Sequence, residues 1–134
     1  MGTRSTTKIY DNNELILSLY KQYDGYIDGW GKKLKQFIKS GKFVNGIKFS
    51  NSTEKQFNGI GCFALQLVNE FKKGVGDIYA TTEQDIQEYN YIINYITDIS
   101  NNPKRIEIYC EEDETYKEII DLKIGDEQKW KQMN

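Results

Sequence analysis

The chain contains no histidine. That removes both the commonest general base near neutral pH and the commonest metal ligand. An enzyme built on this sequence would need a carboxylate, lysine, tyrosine or cysteine as base or nucleophile. Cysteine is scarce as well. Cys62 and Cys110 stand far apart, with no C-x-x-C spacing. A zinc site is not expected, and two reduced structural thiols are favoured over a disulfide. No apolar run reaches the roughly 18 residues that mark a membrane-spanning helix, and no secretory leader is visible. Excess charge is also missing: 18 basic against 20 acidic residues leave a net charge of −2. Binding to duplex DNA needs many phosphate-neutralising cations on one face, so it is not expected. A local pocket of either sign is still open.

What is abundant is tyrosine, ten residues in a chain of 134. A length of this order makes one domain, spanning 1–134, with one real core. Tyrosine carries much of the apolar load. Its rings could lie at subunit contacts, which favours an oligomer, or be half-buried on the sheet of a monomer. The densest aromatic stretch is Tyr20–Gly31, YKQYDGYIDGWG. Gly25, Gly29 and Gly31 allow positive φ and close approach of another group. Tyr20, Tyr23, Tyr26 and Trp30 offer flat faces with polar tips. The composition predicts a shaped turn with a binding or packing role.

Around that stretch, period-2 runs at Thr7–Tyr10 and Glu14–Lys21 flank the Asp11-Asn12-Asn13 turn and predict a β-hairpin. Trp30, Leu34, Phe37 and Ile38 recur at helical spacing, so Gly31–Lys39 reads as a helix with a solvated lysine face. Residues 43–58 read as irregular. Asn58–Lys73 is the strongest helix, with Ile60, Phe63, Ala64, Leu67, Val68 and Phe71 on one stripe. Leu65 and Cys62 widen the stripe and predict a central, covered helix. Asn58 is its expected N-cap and Gly74 its C′ residue. Strands are predicted at Asp77–Thr81, Tyr89–Ile99, Lys104–Cys110 and Tyr116–Ile124, the last also compatible with a short helix. An acidic turn is expected at Glu111–Glu114. The order ββααββββ predicts an α+β domain: an antiparallel sheet with two helices on one face. Residues 1–6 read as a disordered arm and 125–134 as a polar tail.

Three places could carry chemistry. Asp24 and Asp28 form a possible carboxylate pair, although carboxylates in a glycine turn are more often solvated caps. Asn58-Gly59-Ile60-Gly61 opens the strongest helix, where unpaired N–H groups and the positive dipole end suit an anion. The two glycines would let a phosphate approach, or would let the helix pack tightly on the sheet. Arg105, on a strand, could bind a phosphate bidentately or simply pair with Glu107. Tyr79 and Asn90 precede it on candidate strands. A ring, an amide and a guanidinium are the inventory of a nucleotide pocket.

The hairpin followed by QYDGYIDGWGKKLKQF, then VNGI, FNGIGCFALQLVNEFK and GDIY with a tyrosine-rich strand, resembles the first-described family of phage Thoeris anti-defence proteins. The resemblance spans roughly Thr7 to Cys110 and departs from the family pattern at Ile27 and Trp30. It implies an α/β oligomer, a homodimer or homohexamer. It implies a sponge that binds a cyclic ADP-ribose signal between two subunits without cleaving it, in the cytoplasm of an infected bacterium. Some such proteins also take cyclic di- or trinucleotides at a separate site. By position, the resemblance implies ligand contacts from Tyr79, Asn90 and Arg105, with Asp24 and Tyr26 from the glycine-rich turn. Physical reasoning adds Asn58 and Gly59. No cofactor, metal or membrane partner is expected. Two other readings stay open: a protein–protein inhibitor of a host defence protein, and a phosphodiesterase built on Asp24 and Asp28.

Overall fold

The computed structural model describes residues 2–46 and 54–122. The polar tail expected at 125–134 lies outside the described residues. The hairpin forms as the sequence predicts, from β1 (Ser5–Asp11) and β2 (Glu14–Lys21). Asn12 and Asn13 take φ of 49° and 72°, which asparagine tolerates and which a two-residue hairpin turn requires. The expected arm at 1–6 is a misreading at its inner end. Ser5 and Thr6 are fully buried strand residues, because β1 is central and ladders cover both of its sides.

A π-helical turn (Ile27–Gly31) leads into α1 (Lys32–Lys39). Next come β3 (Lys42–Val44) and β4 (Gln56–Asn58), a small parallel pair inside the segment expected to be irregular. Then follow α2 (Gly59–Phe71), β5 (Tyr79–Ala80), β6 (Tyr89–Thr97), β7 (Pro103–Cys110) and β8 (Asp113–Asp121). β8 begins three residues before the expected Tyr116, because the β7–β8 turn is tighter than the acidic run suggests. The large sheet has the order β5-β2-β1-β6-β7-β8.

That sheet is mixed, which corrects the expectation of an antiparallel one. β6 runs parallel to β1, from Ser5↔Tyr89 to Asp11↔Tyr95. The reason is the route of residues 81–88. β5 sits beyond β2 at the sheet edge. The chain then crosses β2 and β1 to reach the far side of β1, and a crossover of that kind yields a parallel neighbour.

Both helices join one hydrophobic cluster on one face of the sheet. Ile9, Leu19, Tyr91, Ile93, Tyr95, Ile106, Ile108 and Tyr116 meet Trp30, Leu34, Phe37, Phe63 and Leu67 there. Phenylalanines knit the small elements together: Phe43 lies 5.0 Å from Phe57 and 5.4 Å from Phe63, ring centre to ring centre. Each such pair adds about 0.5–1.5 kcal/mol beyond burial. α2 is less covered than expected, since Leu65 is 70% exposed. Gly74 is not left-handed, and a side chain fixes the turn that follows α2. The Asp77 carboxylate accepts the N–H groups of Lys73 and Gly74, and these bonds, Gly74 first, hold its pKa below the usual range.

Three core tyrosines give the fold an alkaline limit. Burial is the largest influence on each. It pushes Tyr95 up to about 12 and raises Tyr91 and Tyr116 further. In the unfolded chain all three ionise near pH 10. The folded state therefore keeps protons that the unfolded state gives up. Stability should be fully present below about pH 10 and fall as pH rises through the window to about 12. Circular dichroism and tyrosinate absorbance, followed together, should show unfolding coincident with ionisation of these tyrosines. A fold unchanged at pH 12 would sink the expectation.

Candidate functional site

The glycine-rich stretch after β2 uses its glycines for close approach, not for positive φ. The left-handed residue is Asp24, at φ 59°. A Cβ on Gly25 would fall 2.6 Å from Ser5 Cβ and 2.8 Å from the Thr3 carbonyl oxygen. A Cβ on Gly31 would fall 3.0 Å from the Tyr91 hydroxyl. Tyr91 donates to the Gly25 carbonyl at 2.6 Å, and Tyr116 to the Gly31 carbonyl. Trp30 is buried, and its Nε1 donates to Thr7 Oγ1 at 2.7 Å. Tyr23 and Tyr26 remain exposed. The stretch is thus an anchored wall with two free rings.

The residues singled out in the sequence fall in separate places. Tyr79 sits on the β5 edge, half exposed, with Tyr20 beside it at 5.9 Å and the Lys72 ammonium 4.9 Å above its ring. Arg105 lies four strand positions away on β7, a lateral distance of roughly 19 Å. Its Nε pairs with Glu107 Oε2 at 2.9 Å, the mundane alternative raised by the sequence. One chain does not bring Tyr79 and Arg105 together. Asn90 lies on β6 and is 1% exposed. Its amide donates to the Gln87 carbonyl and to Glu112 Oε2, and its Oδ1 accepts from Thr6 Oγ1 and the Gln87 N–H. Every polar atom of that side chain is engaged.

Asn90 belongs to a polar layer on the second face of the sheet, beneath residues 81–88. Thr6, Lys8 and Ser18 are buried there. Lys8 Nζ donates to the Asp85 carbonyl at 2.6 Å, and Ser18 Oγ to that of Thr82 at 3.1 Å. The crossing segment is tied to the sheet by hydrogen bonds. Its one large apolar side chain, Ile86, points into solvent. Sequence reading missed this layer. The sole signal was that Ser18 sits between Leu17 and Leu19 and that Lys8 adjoins Ile9; Thr6, between Ser5 and Thr7, gave none.

Asn58 and Gly59 do lie in a cavity. It measures about 290 Å³ and is formed where α2 begins, against the β1–β2 turn and the ends of β3 and β6. Asn58 departs from its expected role. It makes no side-chain cap on α2; its Oδ1 accepts the Gly46 N–H at 2.9 Å instead. The first N–H groups of α2 therefore lack a side-chain acceptor from Asn58. A Cβ on Gly59 or Gly61 would meet nothing within 4 Å, so the wall is open at both. Space does not require glycine at 59, but its φ of 82° does. The other walls carry Asp11, Asn12, Asn45, Tyr95, Thr97 and Asn101. Asn12 Nδ2 donates to Thr97 Oγ1 and its Oδ1 accepts the Thr97 N–H, while the Asn13 backbone N–H donates to Asn94 Oδ1, and these bonds lock the turn onto β6. Tyr95 is nearly buried; its raised pKa comes from burial first, then from the Asp11 and Asp98 carboxylates. The cavity thus offers backbone N–H donors at a positive helix end, amides, one phenol and one carboxylate.

Fold and cavity together define an α+β protein with a mixed six-stranded sheet and a small polar pocket at a helix N-terminus. No protein-family model, curated protein or solved structure matches the chain.

Proposed function

We propose that the protein binds and sequesters a cyclic nucleotide signal of the cyclic ADP-ribose type without cleaving it, and so blocks Thoeris immunity in an infected bacterium. The observation that carries this reading is the N-terminus of α2, which the Asn58 side chain does not cap, at the Asn58–Gly61 cavity. Phosphates are the ligands such a helix end favours. The identity of the nucleotide rests on the resemblance of Gln22–Gly31 and Asn58–Lys72 to the sponge family. Tyr79 and Arg105 fit the reading if two copies of the chain contribute one each, which makes a homodimer or homohexamer the working assembly. Asp24, Tyr26 and Asn90 enter it through the resemblance alone. The exposed rings of Tyr23, Tyr26 and Tyr79 favour a second reading, an inhibitor that docks on a host defence protein.

The test is retention and release. Purified protein is mixed with cyclic ADP-ribose isomers, freed of unbound ligand, then heat-denatured, and the supernatant is assayed. Intact signal in the supernatant is the expected result. A new product would point to an enzyme, and no retention would reject the sponge. Gly61→Glu should abolish retention, because the new carboxylate occupies the cavity and opposes an anion. The same change should leave the fold as stable or more so by about 0.5–1 kcal/mol, since a helix loses its glycine.

A further inference from the structure

We infer that the outer edge of β8 is a contact for a second copy of this chain, paired antiparallel about a two-fold axis at Ile119. The contact is independent of the nucleotide reading, since Tyr79 lies on β5 at the opposite edge of the sheet.

The two edges are built differently. β5 is two residues long, and past it the Thr81 N–H donates to the Ser18 carbonyl at 2.9 Å, so the crossing segment covers that side. β8 has nine residues, contains no proline, and carries no further strand among the described residues. A long edge of that kind is a template for another strand unless charge blocks it.

The phase of the ladder decides which groups face outward. The Leu122 N–H donates to the Lys104 carbonyl at 3.0 Å, in the register that opposes Asp121 to Arg105, Ile120 to Ile106 and Ile119 to Glu107. Hydrogen-bonded and non-bonded pairs alternate along an antiparallel ladder. Leu122, Ile120 and Glu118 therefore bond to β7, and the backbone groups of Lys117, Ile119 and Asp121 point away from it. The side chains of those three residues share the exposed second face, where Ile119 is 55% exposed. The residues between them face the helices: Tyr116 and Ile120 join the core, and Glu118 pairs with Lys35 and Lys39.

Charge complementarity selects a copy of the same strand as the occupant. A two-fold axis at Ile119 sets Ile119 against the partner's Ile119, and Lys117 against the partner's Asp121 on both sides of it. All three pairs have outward backbone groups, so about six inter-strand hydrogen bonds form, two to a pair. Opposite charges placed directly across two strands are favourable, and like charges are not. Moving the axis to Lys117 opposes that lysine to its own copy and Asp113 to Asp121. Moving it to Glu118 or to Asp121 sets a carboxylate against its own copy. Among axes on residues 117–121, only the one at Ile119 places unlike charges opposite each other within β8. Lys117 thus blocks other registers and admits this one. Asp121 then stands in a row between two cations, Arg105 on β7 and the partner's Lys117.

Sedimentation velocity of the full chain over a concentration series, without nucleotide, is the test. The parent protein should self-associate as concentration rises. Ile119→Pro removes an N–H that β7 does not use, and edge strands tolerate proline. The chain should therefore keep its circular dichroism while the particle mass halves. Lys117→Glu and Asp121→Lys should each weaken self-association at least about ten-fold, because each turns both attractions into repulsions. An equimolar mixture of these two variants should associate again, since each supplies the charge that the other lacks. That recovery reads the register, which a merely structural effect of either substitution would not restore. A parent protein that stays monomeric at every concentration overturns the inference. So does a particle mass indifferent to Ile119→Pro, or a mixture that fails to associate. Dimers that form only after residues 123–134 are removed also overturn it, because the chain's own end is then the occupant of the edge.

Discussion

Trp30→Ala should lower the unfolding free energy by about 3–5 kcal/mol, as large-to-small changes at buried aromatics do. The side chain is 1% exposed at the end of the π-helical turn. Its ring meets the edge of Phe71 at 4.9 Å and lies under the Lys21 ammonium at 5.1 Å. Its Nε1 reaches Thr7 on β1, so one residue ties the glycine-rich stretch to both α2 and the centre of the sheet. Alanine would leave a cavity too well braced to collapse. Thr7 Oγ1, buried, would lose its donor as well, an added cost of about 1–3 kcal/mol if nothing replaces it. Domains of this size have only about 5–15 kcal/mol in hand, so the variant should be marginal. Urea unfolding reads the effect as a shifted midpoint at unchanged slope. Trp30→Phe should recover most of the packing and leave the Thr7 loss, which separates the two contributions. A Trp30→Ala midpoint within error of the parent protein would refute the role assigned to the ring.

How much of this was legible beforehand differs from element to element. The hairpin and both helices could be read because apolar spacing and turn chemistry agreed there. Ile60, Phe63, Ala64 and Leu67 are all buried, as their spacing predicts. Leu65 is exposed because an extra apolar residue beside a stripe does not by itself decide burial. The parallel β1–β6 pair was not legible. A strand's own pattern is the same whichever neighbour it takes, and the crossover at 81–88 carries no apolar signature. Ser5 and Thr6 looked like an arm for a related reason: they are small and polar, yet buried beside Gly25 and Asn90. The candidate site was half legible. The Asn58-Gly59-Ile60-Gly61 motif announced a helix end that an anion could use. Nothing in the sequence brought Asp11 and Tyr95 to it, because their meeting depends on the register of β1 with β6. Arg105 and Asn90 show the opposite case, in which residues of the right type are engaged by Glu107 and Glu112 within the chain.

Asn90→Leu separates a structural residue from a ligand-binding one. The resemblance implies that Asn90 contacts ligand; its geometry predicts that it holds the 81–88 crossing onto the sheet. Leucine is close in volume but can make none of the four side-chain hydrogen bonds. Thr6 Oγ1 and the Gln87 N–H would lose their acceptor, and the Gln87 carbonyl and Glu112 Oε2 their donor. Lys8, 3.4 Å from Thr6 Oγ1, offers only donors and cannot take the orphaned hydroxyl proton. Some of these groups would reach water once the crossing loosens, so the penalties should not simply add. A net loss of about 2–4 kcal/mol is expected, as for a buried network that loses its central member. Hydrogen exchange should rise at residues 81–88 before it rises in β7. Denaturant unfolding gives the magnitude, and nucleotide retention by the remaining folded protein gives the role. Lost stability with retained binding is the outcome that the bonding of Asn90 requires. Unchanged stability with lost binding would place Asn90 at the ligand and reverse its assignment as the clasp of the second face.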